Sequence, residues 1–310
     1  MKSIQLKSYA KINLTLDVLG LLENGYHEVA MIMQQILLCD DADIKWTETD
    51  DGNIAIKLST NRSYLPTDNR NLAYKAAALM AEEFGAEKSG IIRIDIKKRI
   101  PVAAGLAGGS SNAAVVLHGL NKLWNLGLSV SELCELGSRL GSDIPFCVMG
   151  QAAANEAIKD DFKDDPLACH CALATGTGTD LAPLIGLKSH LVLSKPAIGV
   201  STAEVYKGID SEVIEKRPSS DEMIEALKSE NVESVKKNLV NVLENFTLKR
   251  YPIVKYTKDK MCTLLSADSV LMSGSGPTVF GLCDNIAESK KACQAMVELN
   301  KESFWTRTTW

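Results

Sequence analysis

The sequence predicts a two-domain protein of mixed α and β structure, and three observations predict it. The 310 residues divide into about two domains at about 150 residues each. The first hundred residues read mostly as strand, and the last hundred alternate helix with strand. An apolar share of 45% and a charged share of 24% are those of a globular chain, which excludes disorder or a coiled coil.

The elements follow in order. Ile4 to Val18 alternates polar and apolar residues and reads as a strand, as does Ile54 to Leu58. Ile91, Ile92, Ile94 and Ile96, interleaved with Arg93, Asp95 and Lys97, predict a half-buried strand with a charged outer face. A helix interrupts them, starting after the capping candidates Asp68 and Asn69, running from Leu72 to Phe84 and ending at Gly85. Beyond the glycines of 105–109 the period changes. Ala113, Val116, Leu117, Leu120, Leu123 and Trp124 form one helical stripe, with Ser110 and Ser111 as capping candidates. The next helix is expected from Val130 to Leu140, stopping at Gly141, with Pro145 forbidding continuation and Ser142 and Asp143 left on a turn.

The stretch from Ala157 to Pro166, rich in Asp and Lys, reads as a solvated surface segment and marks the domain junction, giving domains over 1–170 and 171–310. A strand at Leu191 to Leu193 follows. Helical patterns near 221–245, 253–265 and 286–300 then alternate with strands at Ser269 to Met272 and Thr278 to Leu282, joined by SGSGP, so the second domain is α+β.

Composition narrows the function. Thirty-four basic against thirty-nine acidic side chains give a net charge of −5, no footprint for a nucleic-acid partner. No stretch approaches the roughly 18 apolar residues of a membrane span, and MKSIQLKSYAKINLTL lacks the apolar core of a signal peptide. The eight cysteines lie scattered among apolar runs and read as small buried hydrophobes in a reducing compartment. A cytoplasmic protein is expected.

The segment PVAAGLAGGSSNAA, residues 101–114, places Gly105, Gly108 and Gly109 between a strand and a helix, where backbone N–H groups can face an anion. It is neither a P-loop, lacking the lysine and fixed spacing, nor GxGxxG, with Ala107 in the way. A glycine-rich turn that merely lets a helix pack is the plainer alternative. Lys11 and Asn13, two apart on an apolar strand, share a face; the plainer alternative there is a solvated polar face. Asp143 in GSDIPF suits a general base or, more commonly, a turn or N-cap. Cys169, His170 and Cys171 suggest a metal, but adjacent residues do not readily converge on one tetrahedral ion and no second pair has zinc spacing, so no metal site is assigned.

SYAKINLTLDV, PVAAGLAGGSSNAA, GSDIPF and LMSGSGPTVFGL, in that order, resemble the signature segments of the GHMP kinase superfamily. Within it, GYHEVAMIMQQI (25–36), RNLAYKAA (70–77) and VSTAEVY (200–206) resemble the branch that phosphorylates the 2-hydroxyl of 4-diphosphocytidyl-2-C-methyl-D-erythritol in the non-mevalonate route to isoprenoid precursors. The resemblance covers nearly the whole chain. It implies an α+β two-domain fold, with an amino-terminal domain like ribosomal S5 domain 2 and a ferredoxin-like carboxyl-terminal domain, and a site in the cleft between them.

The resemblance also implies residue roles. ATP phosphates would lie on the loop Pro101, Val102, Ala103, Ala104, Gly105, Leu106, Ala107, Gly108, Gly109, Ser110 and Ser111, with Asn71, Leu72, Lys98 and Val102 around the adenosine. Lys11 and Asp143 match the catalytic pair and Asn13 the substrate-positioning residue. Tyr26 and Tyr206 would stack on the cytosine, worth about 1–3 kcal/mol per ring, with His27 hydrogen-bonding the base and Thr202 nearby. Phosphoryl transfer depends on positioning and charge, which suits Lys11 as the cation and Asp143 as acceptor of the hydroxyl proton. Mg²⁺ is expected with ATP, Ser111 being one contact and no carboxylate cage being evident.

The expected partner is therefore a small-molecule substrate, with neither nucleic acid nor membrane, for a monomer or weak homodimer. Two departures stand out: Leu21 and Leu22 replace a basic residue before GYH, and Gln151 to His170 is an added segment, expected as an exposed loop or as a lid or partner contact.

Overall fold

The computed structural model describes residues 1–23 and 25–310. Its strands are β1 (Lys2–Leu21), β2 (His27–Glu48), β3 (Ile54–Thr60), β4 (Gly90–Lys97), β5 (Cys171–Thr175), β6 (Asp180–Leu184), β7 (His190–Lys195), β8 (Val240–Asn241), β9 (Val270–Met272), β10 (Val279–Cys283) and β11 (Glu302–Arg307). Its helices are α1 (Leu72–Phe84), α2 (Gly108–Trp124), α3 (Val130–Ser138), α4 (Ile144–Ala154), α5 (Thr202–Ile209), α6 (Ser220–Lys228), α7 (Val232–Lys237), α8 (Glu244–Arg250), α9 (Pro252–Cys262) and α10 (Ile286–Val297). Among the described residues, no helix is long and apolar enough to cross a membrane.

The chain forms two compact units. The first comprises Met1–Ala10, Leu38–Ile100 and Ala107–Cys169, and the second Lys11–Leu37, Pro101–Leu106 and His170–Trp310. β1 and β2 contribute residues to both.

In the first unit β4 pairs with β3 in parallel and with β2 antiparallel. The alternation at residues 91–97 behaves as expected: Ile92, Ile94 and Ile96 are buried while Arg93, Asp95 and Lys97 are exposed. Helices α1, α2, α3 and α4 pack on one another. α1 is capped by Asn71, whose side chain accepts from the Ala73 N–H, rather than by Asp68 or Asn69. Gly85 ends it at φ −97°, and glycine is needed there for room, since a Cβ would lie 2.3 Å from the Ala81 carbonyl oxygen. α4 is absent from the sequence reading: Pro145, which there bars the preceding helix from continuing, lies in the first turn of a new one, where a proline costs no hydrogen bond.

The added segment is not an open loop. Asn155 clamps the backbone of Lys7 at 2.7 and 2.8 Å, Ile158 and Phe162 are buried, and Asp161 pairs with Lys122 at 2.6 Å. Apolar side chains at 158 and 162 outweigh the charged composition around them.

Phe162 meets His118 edge-on, with centroids 5.2 Å apart. The His118 ring nitrogen Nε2 is 2.9 Å from the Val148 carbonyl and must donate to it, so Nδ1 carries the lone pair, with no partner among the described residues. Burial lowers the His118 pKa from 6.5 to about 4. The unfolded chain therefore takes up this proton first. The contribution of neutral His118 is complete above pH 6.5 and is lost as pH falls toward 4, on the order of 3 kcal/mol. His118→Gln is expected to flatten the fall of urea-unfolding free energy between pH 6.5 and 4; an unchanged slope would contradict this.

In the second unit β8 pairs in parallel with β1, Thr15 opposite Val240, and β5 pairs antiparallel with β2 and with β6. A separate antiparallel sheet runs β11-β7-β10-β9, the order of a ferredoxin-like βαββαβ arrangement, with α10 packed on it. The helix expected at 221–245 is instead α6 and α7, broken at Glu230 with φ +51°, followed by β8. Burial pushes the thiols of Cys134 and Cys283 up to about 12, consistent with cysteines used as small apolar groups.

Candidate active site

Around Gly105 the main chain is held from several sides. Lys11 N–H donates to the Leu106 carbonyl at 3.2 Å, and the Ser273 hydroxyl donates to the Gly105 carbonyl at 2.9 Å. Gly105 has φ +71°, and a Cβ there would lie 2.2 Å from the Ser273 carbonyl oxygen. The opposing turn is itself fixed, because the Asn241 amide donates to the carbonyls of Met272 and Gly274, both at 2.8 Å. SGSGP thus backs the glycine loop, a turn that is bland in isolation and that the resemblance marks as a signature segment.

Gly105→Ala therefore combines a left-handed backbone with a backbone collision, and is expected to cost about 2–4 kcal/mol. Gly109→Ala, whose Cβ has no neighbour nearer than Leu72 at 3.5 Å, serves as the comparison. Equal Tm values for the two variants would contradict this account.

The loop leads into α2, which begins at Gly108, two residues before the expected caps. Its N-cap is Ala107 at φ +54°, with no side-chain capping bond. An uncapped helix start leaves N–H groups directed outward and a partial positive charge, a fit for phosphate. Ser111 is fully buried. Its hydroxyl donates to the Tyr9 carbonyl at 2.5 Å and lies 2.8 Å from the Gln151 amide, so the hydroxyl expected to meet Mg²⁺ is engaged inside the first unit. Ser110 is half-buried.

Lys98, expected near the adenosine, is 6% exposed. Its Nζ donates to a carboxylate oxygen of Asp40 and to Asn112 Oδ1, the latter at 2.8 Å. Asp40 also accepts from the N–H groups of Arg99 and Ile100 at 2.6 and 2.8 Å and from Asn112 at 2.9 Å. This cluster fixes the chain entering the glycine loop. Asn71 is half-exposed, and Leu72 faces Gly109.

Along β1, Lys11, Asn13, Thr15 and Asp17 share one face and are all buried, between 0% and 6% exposed. Burial removes the solvated-face alternative for Lys11 and Asn13. Lys11 Nζ donates to Asn13 Oδ1 at 2.8 Å, and the Asn13 amide approaches Met31 Sδ at 3.3 Å. Arg217 donates to Asp17 at 2.6 Å and to the Val18 carbonyl at 2.9 Å. Burial raises the Asp17 carboxyl pKa while the Arg217 charge pulls it down. Asp143, in the first unit, is the N-cap residue of α4 and makes no side-chain capping bond.

Of the residues expected at a nucleobase, His27 and Tyr206 meet within the second unit. His27 and Tyr206 have ring centroids 5.4 Å apart, tilted by 44°, and Tyr26 is exposed. Thr202 Oγ1 lies 3.0 Å from Ser275 Oγ, tying the start of α5 to the SGSGP turn. His27 Nε2 lies 2.8 Å from Asp210 Oδ1, a contact the sequence reading missed. Among the described residues no group of three or more His, Cys, Asp or Glu side chains is arranged to hold a metal ion.

Family models for the GHMP kinases N terminal domain and the GHMP kinases C terminal match residues 71–151 and 223–302. The chain is 44% identical over 315 residues to 4-diphosphocytidyl-2-C-methyl-D-erythritol kinase of Alkaliphilus metalliredigens, covering 100% of this chain and 99% of that one. With the enzyme of that name from Geobacillus kaustophilus it shares 45% identity over 283 residues, 91% of this chain and 89% of the other. A crystal structure of 4-(cytidine 5'-diphospho)-2C-methyl-D-erythritol kinase superposes with a TM-score of 0.77 at 29% identity, covering 99% of this chain and 100% of that one. A homoserine kinase from Cytophaga hutchinsonii, at 17% identity and a TM-score of 0.68 over 100% of this chain and 95% of its own, shares the fold.

Proposed function

We infer, for a chain that belongs to the 4-diphosphocytidyl-2-C-methyl-D-erythritol kinase family of the GHMP kinases, that it transfers the γ-phosphoryl group of ATP to the 2-hydroxyl of that cytidyl substrate. The observation that carries this reading is the hydrogen bond from Lys11 N–H to the Leu106 carbonyl, which joins the strand bearing Lys11 and Asn13 to the glycine loop. A donor phosphate on the loop then lies beside the residues proposed to meet the acceptor.

In this reading the N–H groups at the start of α2 bind the phosphates, and the fixed glycine loop gives them one geometry. Lys11 offsets charge on the transferred oxygens, and Asn13 holds the Lys11 ammonium in place. Asp143 accepts the hydroxyl proton. His27, Tyr26, Tyr206 and Thr202 hold the cytidine. Mg²⁺ would be held mainly through phosphate oxygens and would neutralise their charge. The domains are proposed to run over 1–170 and 171–310, and the enzyme to act in the cytoplasm as a monomer or weak homodimer.

Phosphorus NMR of the reaction tests the chemistry. One new phosphomonoester resonance should appear while the diphosphate resonances of the cytidyl substrate persist; their disappearance would mean cleavage of the substrate instead of phosphorylation.

A further inference from the structure

Thr202, Tyr206 and Asp210 are spaced by four residues along α5 and its C-cap, so they lie along one helix face. Tyr206 on that face brings a ring to 5.4 Å from the His27 ring. Asp210, one turn on, brings a carboxylate oxygen to 2.8 Å from His27 Nε2. The His27 side chain is 9% exposed, whereas Asp210 is half exposed at 50%, so the carboxylate lies on the outer side of the imidazole. A carboxylate only accepts, so Nε2 carries a proton, and in the neutral ring Nδ1 is then left as the acceptor.

We propose that Asp210 is a specificity-positioning residue that locks His27 in the Nε2–H tautomer and so makes the site select cytosine over uracil. The inference rests on the reading of His27 as the base-contacting residue. Cytosine presents an amino donor where uracil presents a carbonyl acceptor. A bare Nδ1 attracts the first and repels the second. Without the lock, the imidazole can turn over its proton and present Nδ1–H to a carbonyl. Discrimination between the bases therefore depends on a residue that need not touch the base.

The test compares kcat/KM for the cytidyl substrate and its uridyl analogue at one fixed pH. Asp210→Asn supplies both a donor and an acceptor to Nε2 and permits either tautomer. It should lower the cytidyl-to-uridyl ratio by about tenfold or more while kcat on saturating cytidyl substrate stays within about twofold. Asp210→Glu, which keeps an acceptor-only group, should restore much of the ratio. Nitrogen-15 shifts of His27 should show the Nε2–H form in the parent enzyme and a mixture in Asp210→Asn.

An unchanged ratio, or equal losses on both substrates, would overturn the role of Asp210. If the parent enzyme phosphorylates neither nucleotide substrate, it is the reading of the acceptor that fails.

Discussion

Asp143→Asn is expected to lower kcat by about 10²–10⁴ while changing the KM for ATP by no more than a few-fold. The asparagine is nearly isosteric but cannot take the hydroxyl proton. Asp143 starts α4 without a side-chain capping bond, so the substitution removes no cap. A loss confined to kcat places the effect in the chemical step. Near-normal turnover would show that another group receives the proton, and a large fall in Tm would show that Asp143 is structural.

The second large effect is on stability. Asp40→Ala should destabilise the protein by about 3–5 kcal/mol in urea unfolding, because it leaves the Lys98 ammonium buried without its countercharge. Asp40 is 0% and Lys98 6% exposed, so water cannot replace the carboxylate. The N–H groups of Arg99 and Ile100 lose their acceptor as well, and they lie directly before the glycine loop. ATP affinity should therefore fall with stability. The double substitution Asp40→Leu with Lys98→Met removes the orphaned charge and should recover part of the loss. A change below about 1 kcal/mol for Asp40→Ala would contradict the account.

The parts of the site that were legible in the sequence are local ones. The glycine loop shows itself because glycines sit between a period of two and a period of 3.6, and Lys11 with Asn13 because a lysine interrupts an apolar strand. What stayed hidden depends on partners far along the chain. Asp40 stands in an acidic cluster and meets Lys98 58 residues later. Asp210 meets His27 across 183 residues, although its spacing from Thr202 and Tyr206 is visible once α5 is recognised. SGSGP alone reads as a plain turn; the resemblance gives it a role, and the contact of Ser273 with Gly105 supplies its geometry.

The fold shows the same division. Strands with strict alternation were legible, because burial on one face leaves a period of two. α4 was missed because Pro145 signals a stop except in a first turn. The break at Glu230 was missed because a positive φ at a charged residue has no residue-type signal as strong as glycine. The segment around Ile158 and Phe162 was read as exposed because its charges outnumber the two apolar side chains that anchor it.

The most direct test of the central claim is ADP release by the purified protein with ATP and Mg²⁺, comparing 4-diphosphocytidyl-2-C-methyl-D-erythritol with homoserine, mevalonate and galactose at equal concentration. The account predicts turnover on the cytidyl substrate alone. Turnover only on one of the other acceptors would contradict it and would remove Tyr26, His27 and Tyr206 from the binding site.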